Sequence, residues 1–278
     1  MAFQGVLGIL VFLLIAWALS ENRRKVSLYT TAVGLGLQLA LAIILLKFSF
    51  SKGIFLSLNR VVRSLEESTQ AGTAFVFGYL GGGELPFEAS ESVSTYIFAF
   101  RALPLIIFLS ALSSLFFYWK ILPIVVGFFS RVLEKTLRLG GAEGLGVAGN
   151  IFLGMVESPL FVRPYLVNMS RSELFTVMAS GMATIAGTVM VLYASILSDV
   201  VPNVLGHILT ASILNAPAAV VISKLLIPQT EKSTSGELTN PEPLHNSMEA
   251  ITQGTLRGVQ LFLNVVAMLI VLVALVYL

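Results

Sequence analysis

Cysteine is absent from all 278 residues, so the chain has no disulfide framework, no thiolate metal site and no thiol nucleophile, and redox chemistry gives no clue to its compartment. Histidine is nearly absent too. His207 and His245 stand without a carboxylate at ligand spacing, which leaves metal catalysis without a ligand set, and no nucleophile constellation surrounds them; the chain is not read as an enzyme. Charge is scarce at 12%, against about 25% in soluble domains. The net charge of +2 mixes loops on two sides of a bilayer and gives no reason to expect a nucleic-acid partner. Gly81-Gly-Gly83 lacks the strand and the Lys-Ser/Thr context of a phosphate loop and reads as a turn.

What remains is apolar. With 56% hydrophobic residues and a mean hydropathy of +0.90, the composition is that of an integral membrane protein, whose partner is the lipid bilayer. Several separate windows reach the roughly 18 to 20 residues needed to cross a hydrocarbon core of about 30 Å, and only helices can do so repeatedly. The sequence predicts an all-α polytopic fold of about six transmembrane helices: Phe3 to Ser20, Leu28 to Leu46, Thr95 to Trp119, Leu174 to Leu197, Val204 to Ile227 and Leu256 to Leu278. Ala16-Trp17-Ala18 also fits a signal-peptide cleavage site, but no basic stretch precedes this segment, and Glu21-Asn22-Arg23-Arg24-Lys25 follows it as a cytoplasmic anchor would.

The positive-inside rule puts that loop in the cytoplasm and the N-terminus outside. Ser64 to Phe100 contains no Lys or Arg while Glu66, Glu67, Glu84, Glu88 and Glu91 accumulate, as an external segment should. The group Lys47, Lys52, Arg60 and Arg63 dissents. Phe55 to Leu65 and Ile124 to Lys135 carry apolar positions at helical spacing and read as interfacial amphipathic helices.

Between them and the fourth span lies a stretch interrupted by Gly141, Gly144, Gly146, Gly149, Gly154, Pro159 and Pro164, too broken for one straight crossing. Basic residues flank it on both sides, Lys135 and Arg138 before, Arg163 and Arg171 after, so it enters and leaves on the same face: a re-entrant helical hairpin with its tip near Gly154 to Pro159. Irregular backbone at that depth requires a surrounding protein or watery cavity. Glu157 falls at this tip. A carboxylate inside the bilayer costs about 2.5 to 3.5 kcal/mol on the insertion scale and normally faces a polar cavity, a partner charge or a ligand; the alternative is a shallow tip with Glu157 solvated or paired to Arg163. Asn150, seven residues earlier, shares its face if that arm is helical, and offers either an amide oxygen suited to Na⁺ or a cap. Ser180-Gly-Met-Ala-Thr-Ile-Ala-Gly-Thr188 reads equally as a helix that unwinds to offer carbonyls to a cation and as a small-residue packing seam. Asn215-Ala-Pro217 is expected to kink or break the next helix, and Pro228 to Ser247 reads as a solvated cytoplasmic linker.

These pieces together resemble the concentrative nucleoside transporters. The matching stretches are Ala71 to Gly78, Phe98 to Ile107 with Ser110 to Ser113, Asn150 to Gly154, Glu157 to Leu160, Val162 to Tyr165 and Ala183 to Gly187, in the family's order. The resemblance implies a homotrimer, with scaffold helices beside a mobile transport part, driven by Na⁺ or, in some members, H⁺. It implies that Glu157 contacts nucleoside ribose, that Val189 contacts the base, and that Asn150, Leu153, Thr184 and Ile185 form the sodium site, Leu153 and Ile185 through their carbonyls. Where pyrimidine-specific members carry Gln followed by Thr or Ser, this chain has Met155 and Val156, which offer no strong hydrogen bond. An altered base preference, a more apolar nucleoside-like solute and loss of nucleoside binding are all compatible with that change.

The expected organisation is residues 1–119 as scaffold helices, 120–228 as interfacial helix, hairpin and broken helices of the transport (gate) part, 229–249 as cytoplasmic linker, and 250–278 as the start of a C-terminal transporter part. The family's inverted repeat supplies a second hairpin and a later broken helix, and this sequence reaches Leu278 before either, so the second repeat is expected to be missing. The function so implied is cation-coupled import of nucleosides or a related solute across the inner (plasma) membrane. The alternative is a non-transporting membrane protein that retains a nucleoside-recognition gate for assembly or regulation.

Overall fold

Where water is scarce, every backbone amide must find its partner within the chain, and apolar runs do this as helices. The computed structural model is all-α among the residues it describes, which are 2–47, 49–86, 96–153, 158, 162–197, 200–236 and 245–278. The helices are α1 (Ala2–Ala18), α2 (Leu28–Lys47), α3 (Ser49–Phe77), α4 (Phe98–Arg101), α5 (Leu105–Tyr118), α6 (Ile121–Leu137), α7 (Gly141–Phe152), α8 (Arg171–Ala183), α9 (Gly187–Leu197), α10 (Val204–Leu226) and α11 (Ser247–Tyr277). Helix α2, the α4–α5 segment, the α8–α9 segment, α10 and α11 are long and apolar enough to cross a membrane, and α1 is a shorter apolar helix.

Two elements depart from expectation, and in a third one of two alternatives falls away. The amphipathic helix expected over Phe55 to Leu65 is instead the 29-residue α3. In its polar C-terminal half Ser68 and Thr69 donate their hydroxyls to the Ser64 and Leu65 carbonyls of the same helix, at 2.7 and 2.8 Å, so neither competes for backbone elsewhere. The third span is interrupted between Arg101 and Leu105, where Pro104 brings no N–H to the helical ladder. Helix α10, by contrast, is not broken: it runs continuously through Pro217, forgoing one hydrogen bond.

The chain forms two compact units, Met1–Ser51 with Pro123–Gly187 and Ile208–Pro243, and Lys52–Leu122 with Thr188–His207 and Leu244–Leu278. In the first, buried apolar side chains of α6 (Val126, Leu133, Leu137), α7 (Leu145, Val147, Ile151), α8 (Val177) and α10 (Ala216, Val220) make one core. Helix α7, buried from Ala142 to Ile151, has 12 residues, or about 18 Å, too short to cross. The chain then turns back on it: Ser158 donates to the Gly146 carbonyl at 2.7 Å. A side chain at Gly146 would collide with Val177 and Val162, so glycine is what lets the returning chain and α8 approach. Thr234 identifies the point of return. Its carbonyl accepts from the Ala142 amide at 3.4 Å and its hydroxyl donates to the Asn168 carbonyl at 2.9 Å, so Ala142 and Asn168, on the entering and leaving sides, meet at one end of the unit. The hairpin is therefore re-entrant in geometry as well as in pattern.

Basic residues gather at that same end. Arg171 pairs with Glu21 at 2.6 Å, the Glu21 amide reaches the Leu226 carbonyl, and the Arg138 guanidinium stacks 4.0 Å from the Tyr29 ring centroid. Residues 228–236, within the stretch expected to be a solvated linker, are largely exposed yet tied here, because the Thr234 amide donates to Glu173 at 2.7 Å.

In the second unit α5 packs along α11 through Gly254 and Gly258, a small-xxx-small seam. A Cβ on Gly258 would lie 2.7 Å from the Ile107 Cα, and one on Gly254 2.7 Å from the Ala111 Cα. Backbone cannot yield there. Gly258→Leu is expected to destabilise the protein by about 1–3 kcal/mol through overpacking, measured by thermal unfolding in detergent; an unchanged transition would mean that the seam is not a tight contact.

A candidate cation site where two helices end

Helix α7 ends at Leu153, whose amide donates to the Gly149 carbonyl at 2.9 Å. Helix α8 ends at Ala183, and Thr184 is extended at φ −102°, ψ 162° before α9 begins at Gly187. The small-residue stretch is thus a broken helix. Such ends leave carbonyls without intrahelical donors, and side chains take up several of them. The Thr184 hydroxyl lies 2.9 and 2.8 Å from the Asn150 and Ser180 carbonyls, which share its single proton. Asn215 donates to the Ala183 carbonyl at 2.8 Å. Ser212 donates to the Ile151 carbonyl and accepts from the Ile185 amide, both at 3.4 Å.

Asn150 lies at the centre, 1% exposed. Its amide nitrogen is 2.9 Å from the Val177 carbonyl and 2.9 Å from Ser180 Oγ. A carbonyl can only accept, so that atom must be the nitrogen, and the orientation of the side chain is chemically determined. Its oxygen, Oδ1, is buried with no hydrogen-bond donor among the described residues. An unsatisfied buried acceptor costs about 1–3 kcal/mol. A hard cation would satisfy it, because the neutral oxygen donors around the break are hard ligands; among the described residues no cluster of His, Cys, Asp or Glu could hold a metal.

Of the residues singled out from sequence, Asn150 and Thr184 are in direct contact, Ile185 is joined to the end of α7 through Ser212, and Leu153 is buried at the α7 terminus. Val189 is half-buried on α9, in the second unit. Met155, Val156 and Glu157 lie outside the described residues.

A second polar centre escaped the sequence reading. Glu143, 1% exposed in the first turn of α7, pairs with Lys224 of α10 at 2.7 Å, and the ammonium also donates to Ser172 Oγ (3.2 Å) and Gln229 Oε1 (3.1 Å). Glu173, fully buried, closes a capping box with Ser170. The signal was available: Glu143 stands seven residues before Asn150, the same spacing that linked Asn150 to Glu157.

Three family models match in succession: the Na⁺ dependent nucleoside transporter N-terminus over residues 7–80, nucleoside recognition (Gate) over 99–200, and the Na⁺ dependent nucleoside transporter C-terminus over 207–278. An uncharacterized transporter of Haemophilus influenzae is 38% identical, over 98% of this chain and 63% of that protein. Nucleoside permease NupC of Helicobacter pylori is 34% identical, over 97% of this chain and 62% of that protein, and sodium/nucleoside cotransporter 2 of Rattus norvegicus is 34% identical, over 96% and 38%. The chain also resembles the solved structure of CNTnw in an inward-facing substrate-bound state, with TM-score 0.84 and 31% identity over 99% of this chain and 63% of that one. It thus spans less than two thirds of each of these relatives, and 38% of the rat protein. The run of three models in order, on a chain with a re-entrant hairpin and a broken helix beside it, makes this polypeptide a member of the concentrative nucleoside transporter family.

Proposed function

We propose that the protein works in cation-coupled import of nucleosides or a related solute, with Na⁺ held by Asn150 Oδ1, the Thr184 side chain and the carbonyls of Leu153 and Ile185. The observation that carries this reading is the buried Oδ1 of Asn150, which has no hydrogen-bond donor among the described residues, beside a helix break. H⁺ is a weaker candidate for the same position, because a neutral amide oxygen binds a metal cation far better than it accepts a proton. Glu157 is assigned to the ribose, and Met155, Val156 and Val189 to the base end of the solute. Met155 and Val156 offer no polar atoms comparable to an amide or hydroxyl, so an apolar surface rather than a hydrogen-bonded base edge is the expected match.

Each Na⁺ entering down 100 mV supplies about 2.3 kcal/mol from the potential alone, enough for uphill accumulation. The protein is assigned to the inner (plasma) membrane with its N-terminus outside, in keeping with the exposed Arg23, Arg24 and Lys25 after α1. Assembly as a homotrimer is part of the same proposal. In the second unit, an apolar groove lined by Val76, Phe77, Phe108, Leu112 and Leu115 offers surface for a neighbouring subunit to cover.

Uptake of labelled uridine and adenosine into proteoliposomes, with an inward Na⁺ gradient or with choline, tests the proposal. Na⁺-driven accumulation of at least one of them is expected. Na⁺ binding without any uptake would instead favour a gate retained for assembly or regulation.

A further inference from the structure

We infer that Ser212 and Asn215 of α10 are positioning residues of the candidate cation site, an inference that rests on Na⁺ binding at Asn150. The two side chains are three residues apart and so share a face of the helix. Asn215 holds the Ala183 carbonyl, the last residue before the break, at 2.8 Å. Ser212, fully buried, joins the Ile185 amide inside the break to the Ile151 carbonyl at the end of α7, each at 3.4 Å. The hydroxyl has one proton and it goes to the Ile151 carbonyl, while a lone pair receives the Ile185 N–H; the bridge uses the group's donor and an acceptor position together.

The mechanical consequence follows from where these bonds fall. Thr184 to Ala186 lie outside helix, so nothing in the α8 or α9 ladder fixes which way the Ile185 carbonyl points. Oxygen donors bind a cation tightly only when they are oriented beforehand, and the groups that orient them influence affinity almost as strongly as the ligands. Helix α10 supplies that orientation from outside the site, tying the break to the same helix end that carries Asn150. Neither side chain needs to touch the ion.

The purified chain in detergent is titrated with NaCl at constant ionic strength against choline chloride, and thermal unfolding is followed. Wild-type protein is expected to gain stability with Na⁺ as RT ln(1 + [Na⁺]/Kd), and Asn150→Ala to lose the response. Ser212→Ala and Asn215→Leu are each expected to raise the Kd fitted from this rise about 10-fold, while Ser212→Thr, which keeps the hydroxyl, retains the wild-type value. Each variant is compared with its own choline control, so a loss of fold stability alone leaves the fitted Kd unmoved. Should Ser212→Ala fail to fold, Asn215→Leu decides. A wild-type Kd in both variants, with wild type and Asn150→Ala behaving as expected, overturns this inference and leaves the Na⁺ site standing. Absence of any Na⁺ effect on the wild type overturns both.

Discussion

Lys224→Met is expected to destabilise the folded chain by about 3–5 kcal/mol, the penalty for stranding one charge of a buried pair. Glu143 is 1% exposed and its ammonium partner is 2.7 Å away. Remove the ammonium and the carboxylate keeps its desolvation without compensation. The loss also spreads, because Ser172 and Gln229 surrender a donor that now ties α8 and the 228–236 segment to α10. Glu143→Gln combined with Lys224→Met removes both charges and is expected to recover most of the loss, since replacing a buried pair by neutral groups is often close to energetically neutral. Thermal unfolding of the single and double variants in detergent measures this. A single variant as stable as wild type, or a double variant worse than the single, would contradict a buried ion pair at this place.

The parts of this molecule that repeat locally were legible in its sequence, and those that depend on distant pairing were not. Spans, the re-entrant arm and the unwound stretch around Thr184 follow from apolar length, glycine and proline spacing and the placement of Lys and Arg, all of which act within about 20 residues. The extent of α3 was underestimated because its polar half looks like loop until Ser68 and Thr69 are seen bonding to their own helix. Nothing local in the sequence marks Lys224, and only the fold reveals that it meets a carboxylate from the hairpin. Ser212 is unmarked for the same reason. Asn150 raised two alternatives, an anchor and an ion ligand, and the geometry is compatible with both at once: its nitrogen is committed to α8 and its oxygen has no donor among the described residues.

Asn150→Ala is expected to abolish the Na⁺ response over any practical concentration range, a loss beyond the roughly 10- to 100-fold that outer-shell changes produce. The same substitution is expected to alter stability in choline only slightly. It removes two donated hydrogen bonds, each contributing about 0.5–1.5 kcal/mol, but it also removes an unsatisfied carbonyl whose burial costs about 1–3 kcal/mol. The two effects oppose each other. A truncation of this side chain that merely unfolded the hairpin would instead lower the choline transition strongly. Helix α7 would then show protease sensitivity, and limited proteolysis separates the two outcomes.

The measurement that bears most directly on a monovalent-cation site at the α7 and α8 ends is the Na⁺ dependence of wild-type stability at fixed ionic strength. A site that binds only the folded state raises unfolding free energy by RT ln(1 + [Na⁺]/Kd), about 2.7 kcal/mol at one hundred times Kd, so stability is expected to rise logarithmically with Na⁺ above Kd and not with choline. Identical unfolding transitions in the two salts would contradict it.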